Sequence, residues 1–232
     1  MRSAGCVIND LADRHYDGHV ARTKDRPIVA GLVSPREALL VFTALTLLAA
    51  LVLLPILTPL LAKLALVAVF LAGSYPLTKR FLAIPQAYLG IAFGFGIPMA
   101  FAAINDAIPS AAWLLLIANI FWAIAYDTEY AMVDRPDDLK IGIKTSAITF
   151  GRFDVLAVMA CYGITLILLS IVGLSLGLHW PYWVGLSVAL AVSLYHYQLI
   201  KDRVATQCFN AFLHNNWFGA AVFAGILLND LV

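Results

Sequence analysis

Long apolar runs separated by short polar stretches fill almost the whole chain. A helix crossing the hydrocarbon core of a bilayer needs about 20 mostly apolar residues. Seven runs meet or approach that length: 37–57, 60–77, 84–104, 110–127, 154–174, 181–200 and 211–231. The second is short, and Lys63 at its outer end can snorkel to the interface. Pro35, Pro59, Pro76, Pro85, Pro109 and Pro181 sit near run boundaries, where a missing amide donor does little harm. Pro98 falls inside the third run, among Gly94, Gly96 and Met99, and predicts a kink there. The pattern predicts an all-α membrane protein, a polytopic transmembrane helical bundle of about seven full spans.

Composition agrees with the pattern. The chain of 232 residues is 62% hydrophobic and 12% charged, where a soluble domain carries about 25% charged residues, and its mean hydropathy is +0.88. A net charge of +1 points to no nucleic-acid partner. Cys6, Cys161 and Cys208 have no metal-ligand spacing and are expected to be buried, small apolar residues. No secretory signal pattern precedes the first polar cluster.

Lysine and arginine sort by side. Five lie in 14–36, two in 78–83, four in 128–153 and two in 201–210, whereas the loops near 104–109 and 175–180 hold none. The positive-inside rule places the basic connections in the cytoplasm.

Against this background two acidic clusters stand out. Asn9, Asp10, Asp13 and Asp17 form the first, and Asp134, Asp137 and Asp138 the second, with Asp127 and Glu129 just ahead of it. Four runs separate Asp17 from Asp134, an even number, so both clusters face the same cytoplasmic side, as does the loop with Lys79 and Arg80. Asn9, Asp13 and Asp17 recur every fourth residue, one stripe of a helix. Asp134 and Asp138 share that spacing, with Pro136 suiting them to a helix start or a loop. Crowded carboxylates need a counter-ion. Mg²⁺ is the natural one, because it takes one or two carboxylates and completes its shell with phosphate oxygens and water. Solvated loop charge would be the bland explanation of one such cluster, but two on one face fit it poorly. His15, His19, His196 and His214 lack a metal-ligand arrangement and read as structural or interfacial.

The motifs themselves resemble those of a known family. Residues 9–27, NDLADRHYDGHVARTKDRP, are similar to the N-D-x-x-D-x-x-x-D and R-T-x-x-R-P signature of the UbiA superfamily of intramembrane aromatic prenyltransferases. Residues 126–148, YDTEYAMVDRPDDLKIGIKTSAI, resemble the second aspartate motif of its 4-hydroxybenzoate polyprenyltransferase branch, and Tyr75–Lys79 matches its Y-x-x-x-K loop. The resemblance implies nine transmembrane helices around a central cavity and Mg²⁺-dependent transfer of a polyprenyl group from its diphosphate. The acceptor would be the carbon ortho to the hydroxyl of 4-hydroxybenzoate, a step of ubiquinone synthesis in the bacterial inner membrane. It implies that Asn9, Asp13 and Asp17 hold one metal ion and Asp134 and Asp138 another. Arg22, Arg26, Lys79, Lys140 and Lys144 would grip the diphosphate, with Tyr75 also at the substrate. Arg80 would pair with the carboxylate of the aromatic acid. Phe93, Phe95, Trp122 and Tyr126 are candidates to shield an allylic cation through their ring faces.

On the family pattern, the single domain spanning 1–232 is expected to lack the first helix and part of the second. Three other readings follow from different premises. A prenyltransferase with another aromatic acceptor would share all the motifs. A transporter would show acids at span centres or inverted repeats, and neither is evident. A shortened, inactive paralogue would keep the fold without the activity.

Overall fold

The structure, a computed structural model, describes residues 1–20 and 22–232. Its regular elements are all helical. The α-helices are α1 (Arg2–Asp17), α2 (Pro35–Leu53), α3 (Pro59–Thr78), α4 (Pro85–Gly94), α5 (Gly96–Asn105) and α6 (Ser110–Ile141). They continue as α7 (Ser146–Phe150), α8 (Asp154–Ser175), α9 (Trp180–Ile200), α10 (Ala205–His214) and α11 (Asn216–Asn229). Seven segments are long and apolar enough to cross a membrane, and they overlap the seven expected runs. Large side chains such as Leu40, Phe70 and Leu174 stand well exposed along them, as lipid-facing positions do.

Local signals explain the helix starts. At α2 the Ser34 hydroxyl accepts from the Glu37 amide at 3.3 Å and the Glu37 carboxylate accepts from the Ser34 amide at 2.8 Å. This reciprocal cap contributes about 1 kcal/mol. Thr58 caps α3 through the Leu61 amide, and Thr145 caps α7 through that of Ile148.

The third span breaks at Phe95, between α4 and α5. Pro98 has no amide to offer the Gly94 carbonyl four residues back, so the expected kink falls one turn ahead of the proline. The last span breaks likewise at Asn215, between α10 and α11.

Two expectations need correction. The fourth run is expected to end at 127, yet α6 runs for 32 residues from Ser110 to Ile141, with Pro136 inside it. Proline costs that helix one bond, to the Met132 carbonyl, and the flanking turns continue regardless. The second acidic cluster therefore rides on a helix, neither at a helix start nor in a loop, and Asp127 and Glu129 lie within the spanning segment. Cys6 is exposed, not buried, whereas Cys161 and Cys208 are buried as expected.

The core forms where α6 meets α8, α4 and α10, with Ile124, Met132, Val158, Tyr162 and Phe218 among its buried members. Small residues allow the closest helix approach. A Cβ at Gly185 of α9 would come within 2.6 Å of the Ala221 carbonyl oxygen and 2.9 Å of the Gly225 Cα in α11. Packing of this kind carries much of the association between helices in a bilayer. Inside the core, Tyr162 donates to the fully buried Glu129 at 3.2 Å and lies 2.9 Å from His196 Nδ1, while Trp122 donates to Asn215 at 2.9 Å. His196 and His214, 3.2 Å apart, belong to this internal brace.

Candidate active site

Helix α1 delivers Asn9, Asp13 and Asp17 to one side, and Asp13 and Asp17 are only 5% and 8% exposed. The chain then folds back: the Thr23 hydroxyl donates to the Asp17 carbonyl at 2.9 Å and so holds the segment with Arg22 and Arg26 against the end of α1. Arg26 bridges Asp17 and Asp10, each at 2.8 Å. Lys79, just past the end of α3, reaches Asp13 at 2.9 Å. Arg22 crosses to the second cluster, donating through Nη2 to Asp134 at 2.6 Å and through Nε at 3.3 Å. Its guanidinium also lies 4.2 Å from the centre of the Tyr130 ring. The two acidic clusters, 112 residues apart at this ion pair, thus share one chamber.

That chamber is a cavity of about 100 Å³ walled by α1, the segment after it, and the adjoining ends of α3, α4 and α6. The connection after α6 closes one side, with the Lys144 amide donating to the Lys79 carbonyl at 3.0 Å and the Ser146 amide to the Gln86 side chain at 2.9 Å. Burial pushes the Asp17 carboxyl above its usual pKa; Arg26 opposes the shift and Asp13 adds to it. Burial disfavours the charge on Arg22, but its bond to Asp134 and the nearby Tyr130 and Asp17 outweigh that and raise its pKa.

Of the residues singled out from the sequence, Asp13, Asp17, Arg22, Arg26, Tyr75, Lys79, Asp134 and Asp138 line the cavity. Others do not. Asn9 lies one turn back along α1, with its buried Oδ1 lacking a hydrogen-bond partner among the described residues. Arg80 is exposed, donates to the Ala12 carbonyl at 3.4 Å and lies 5.5 Å from the ring centre of Tyr16, itself a wall residue. Lys140 is exposed and pairs with Asp137, and Lys144 donates to the Phe81 carbonyl at 3.2 Å. The aromatic wall is Tyr16, Tyr75 and Tyr130. Of the expected aromatic residues, Phe93 is exposed, Phe95 is buried, and Trp122 and Tyr126 pack against each other beyond the cavity.

Sequence reasoning passed over Tyr130, Gln86, Thr23 and Thr145 and gave Asp127, named beside the second cluster, no role, although all five face the cavity. The signal for two of them was present. Asp127, Tyr130, Asp134 and Asp138 follow at spacings of three or four, a single helical stripe, visible only if the helix is carried through Pro136.

Among the described residues no three His, Cys, Asp or Glu side chains form a preformed metal cage. The donor chemistry nonetheless suits a hard cation. Among the described residues five aspartates line the cavity against three cationic side chains, and a buried amide oxygen on Asn9 has no donor. Oxygen ligands with surplus negative charge are what Mg²⁺ binds.

Residues 1–222 match the UbiA prenyltransferase family. The chain is 66% identical over 230 residues to a 4-hydroxybenzoate octaprenyltransferase of Methylobacillus flagellatus, a match covering 99% of this chain and 77% of the relative. A protein of the same name from Thiobacillus denitrificans is also 66% identical, over all of this chain and 79% of its own length. Among solved structures, the apo form of a UbiA homologue from Aeropyrum pernix superposes with a TM-score of 0.82 at 25% identity, covering 100% of this chain and 86% of its own. A UbiA homologue from Archaeoglobus fulgidus bound to GPP and Mg²⁺ shares the fold with a TM-score of 0.65 at 23% identity, covering 96% and 82%. The chain belongs to the UbiA prenyltransferase family, and it is a multi-pass helical membrane protein.

Proposed function

We propose that this chain transfers a polyprenyl group from polyprenyl diphosphate to the ring carbon ortho to the hydroxyl of 4-hydroxybenzoate, in the synthesis of ubiquinone. The observation that carries this reading is the 66% identity to 4-hydroxybenzoate octaprenyltransferases, over a match that spans essentially the whole chain.

In the reaction the bond between the allylic carbon and the diphosphate oxygen breaks, and its electron pair leaves with the diphosphate. The allylic carbon bonds to the ring, which then loses a proton to regain aromaticity. Arg22, Arg26 and Lys79, each now held on an aspartate, turn to the diphosphate oxygens, where fixed cationic charge favours departure of the anion. Asn9, Asp13 and Asp17, with Asp134 and Asp138, are the oxygen donors for Mg²⁺. When bound, the metal ions neutralise the charge on the leaving diphosphate. Tyr130, relieved of Arg22, and Tyr75 offer ring faces to the developing cation. Arg80, beside Tyr16, is the proposed partner of the acceptor carboxylate, and Lys140 and Lys144 act at the mouth as charge that draws in the diphosphate. The basic connections lie on the cytoplasmic side of the bacterial inner membrane by the positive-inside rule, so the cavity opens toward the cytoplasm.

The reading is tested in membranes containing the expressed chain, supplied with Mg²⁺, polyprenyl diphosphate and labelled 4-hydroxybenzoate. Labelled prenylated acid is expected, and it should vanish in Asp13→Ala and Asp134→Ala. Full activity in those variants would overturn the residue assignment. No product from the unaltered chain, with product from another labelled aromatic acid, would overturn the acceptor.

A further inference from the structure

A second concavity, outside the cavity described above, lies between the first turns of α8 and the last turn of α9. It is a groove of about 400 Å³ whose rim carries Arg152, Lys201 and Arg203 and whose floor includes Leu156, Met159 and Tyr197. Arg152 sits in the short turn before α8, and Lys201 and Arg203 in the connection after α9. The rim therefore marks one end of two membrane-spanning helices, level with the membrane interface. The floor lies one turn farther into the bilayer and stays open to it, with Leu156 66% exposed.

The charge at this rim is largely uncompensated. Asp154 beneath it is fully buried and is shared by two arginines, Arg135 from α6 and Arg203. One carboxylate between two guanidiniums leaves that trio net positive. Neither Arg152 nor Lys201 has a carboxylate within ion-pair distance among the described residues: Arg152 lies over the Phe153 ring at 4.7 Å, and Lys201 donates to Gln198 at 3.0 Å. Asp202 is the one exposed acid of the connection, so the rim keeps a cationic surplus.

The rim is also fixed in place. Arg203 has a φ of 56°, a left-handed conformation costly for a residue with a side chain. What it gains is a two-point grip on the opposite wall of the groove, through Asp154 at 2.9 Å and the Arg152 carbonyl at 2.9 Å. The connection after α9 is thereby clamped to the turn before α8, holding Arg152 and Lys201 on either side of one opening.

We propose that this groove is a binding site for an anionic phospholipid. Its phosphodiester sits between Arg152 and Lys201, and an acyl chain runs down over Leu156, Met159 and Tyr197. Cationic pockets between membrane helices at the cytoplasmic level recognise such headgroups, and a floor open to the bilayer suits a molecule with acyl chains better than a free anion. The site is independent of the transferase reading.

Native mass spectrometry of the full chain in detergent tests it, with phosphatidylglycerol and phosphatidylcholine of identical acyl chains as probes. Phosphatidylglycerol adducts are expected to persist where phosphatidylcholine is lost. In Arg152→Gln/Lys201→Gln the apparent Kd for phosphatidylglycerol should rise roughly 30-fold, the equivalent of about 2 kcal/mol for two cations near a headgroup. Both side chains are exposed and free of ion pairs, so the fold should tolerate the change. The charge-preserving Arg152→Lys/Lys201→Arg should hold the lipid as the parent does. Unchanged retention in the glutamine variant, equal retention of phosphatidylcholine, or loss of lipid from the charge-preserving variant would each overturn the proposal. So would displacement of the lipid by millimolar inorganic phosphate, which would mark the groove as a site for free anions.

Discussion

Replacing Asp138 by asparagine should stabilise the metal-free protein while weakening its response to Mg²⁺. Asp13, Asp17 and Asp134 each hold a cationic partner, whereas among the described residues no hydrogen bond or ion pair engages the Asp138 carboxylate, which faces the same cavity. It stands one helical turn from Asp134. Two carboxylates roughly 6 Å apart at an effective dielectric of about 20 repel by roughly 3 kcal/mol, while exposed like pairs one turn apart repel by only about 0.3 kcal/mol. A half-open cavity falls between these limits, so Asp138→Asn should raise metal-free stability by about 1 kcal/mol. Mg²⁺ at about 100 times its Kd stabilises the parent by roughly 2.7 kcal/mol, and a tenfold weaker site would lose roughly 1.4 kcal/mol of that. The assay is denaturant unfolding in mild detergent with and without Mg²⁺, alongside transfer of label to 4-hydroxybenzoate. The expected outcome is a crossing: the variant is the more stable protein without metal, the less responsive one with it, and poorly active. If Asp138→Asn destabilises the metal-free protein, or keeps both the Mg²⁺ increment and the activity, the surplus-charge argument fails.

Further outcomes follow from individual contacts. Arg22→Lys keeps the charge but loses the two-pronged grip on Asp134 and the flat contact with Tyr130. It should lower kcat/KM for polyprenyl diphosphate by about 10-fold or more, and Arg22→Gln by about 100-fold, in initial-rate measurements. Gly185→Ala would drive a methyl group into the backbone of α11 and should cost about 1–3 kcal/mol in the same unfolding assay; an unchanged midpoint would mean the two helices separate more readily than their packing implies.

The candidate site was partly legible because its chemistry depends on short-range spacing. Asn9, Asp13 and Asp17 fall on one stripe whatever the helix packs against. Counting spans put Lys79 and the second cluster on the same side without any knowledge of the fold. Pro136 obscured the rest. A proline usually marks a helix boundary, and reading it that way hid the stripe that joins Asp127 and Tyr130 to Asp134 and Asp138. The aromatic wall was misread for a related reason: Trp122 and Tyr126 lie on the same helix as Tyr130, but only tertiary packing turns Trp122 onto Phe218 and Tyr126, while Tyr130, which also touches Phe212, lines the cavity.

By itself, then, the sequence determined the class of the protein, its seven spans and most of the acids that line the cavity, since apolar length and residue spacing act locally along the chain. Only the tertiary structure decided which cation meets which acid. Arg22 could have paired with any nearby carboxylate, and it reaches Asp134 because the Thr23 turn and the long α6 bring them together. The same holds for the second cationic groove: Arg152 and Arg203 are 51 residues apart, and it takes the buried Asp154 and the pairing of α8 with α9 to make one opening of them.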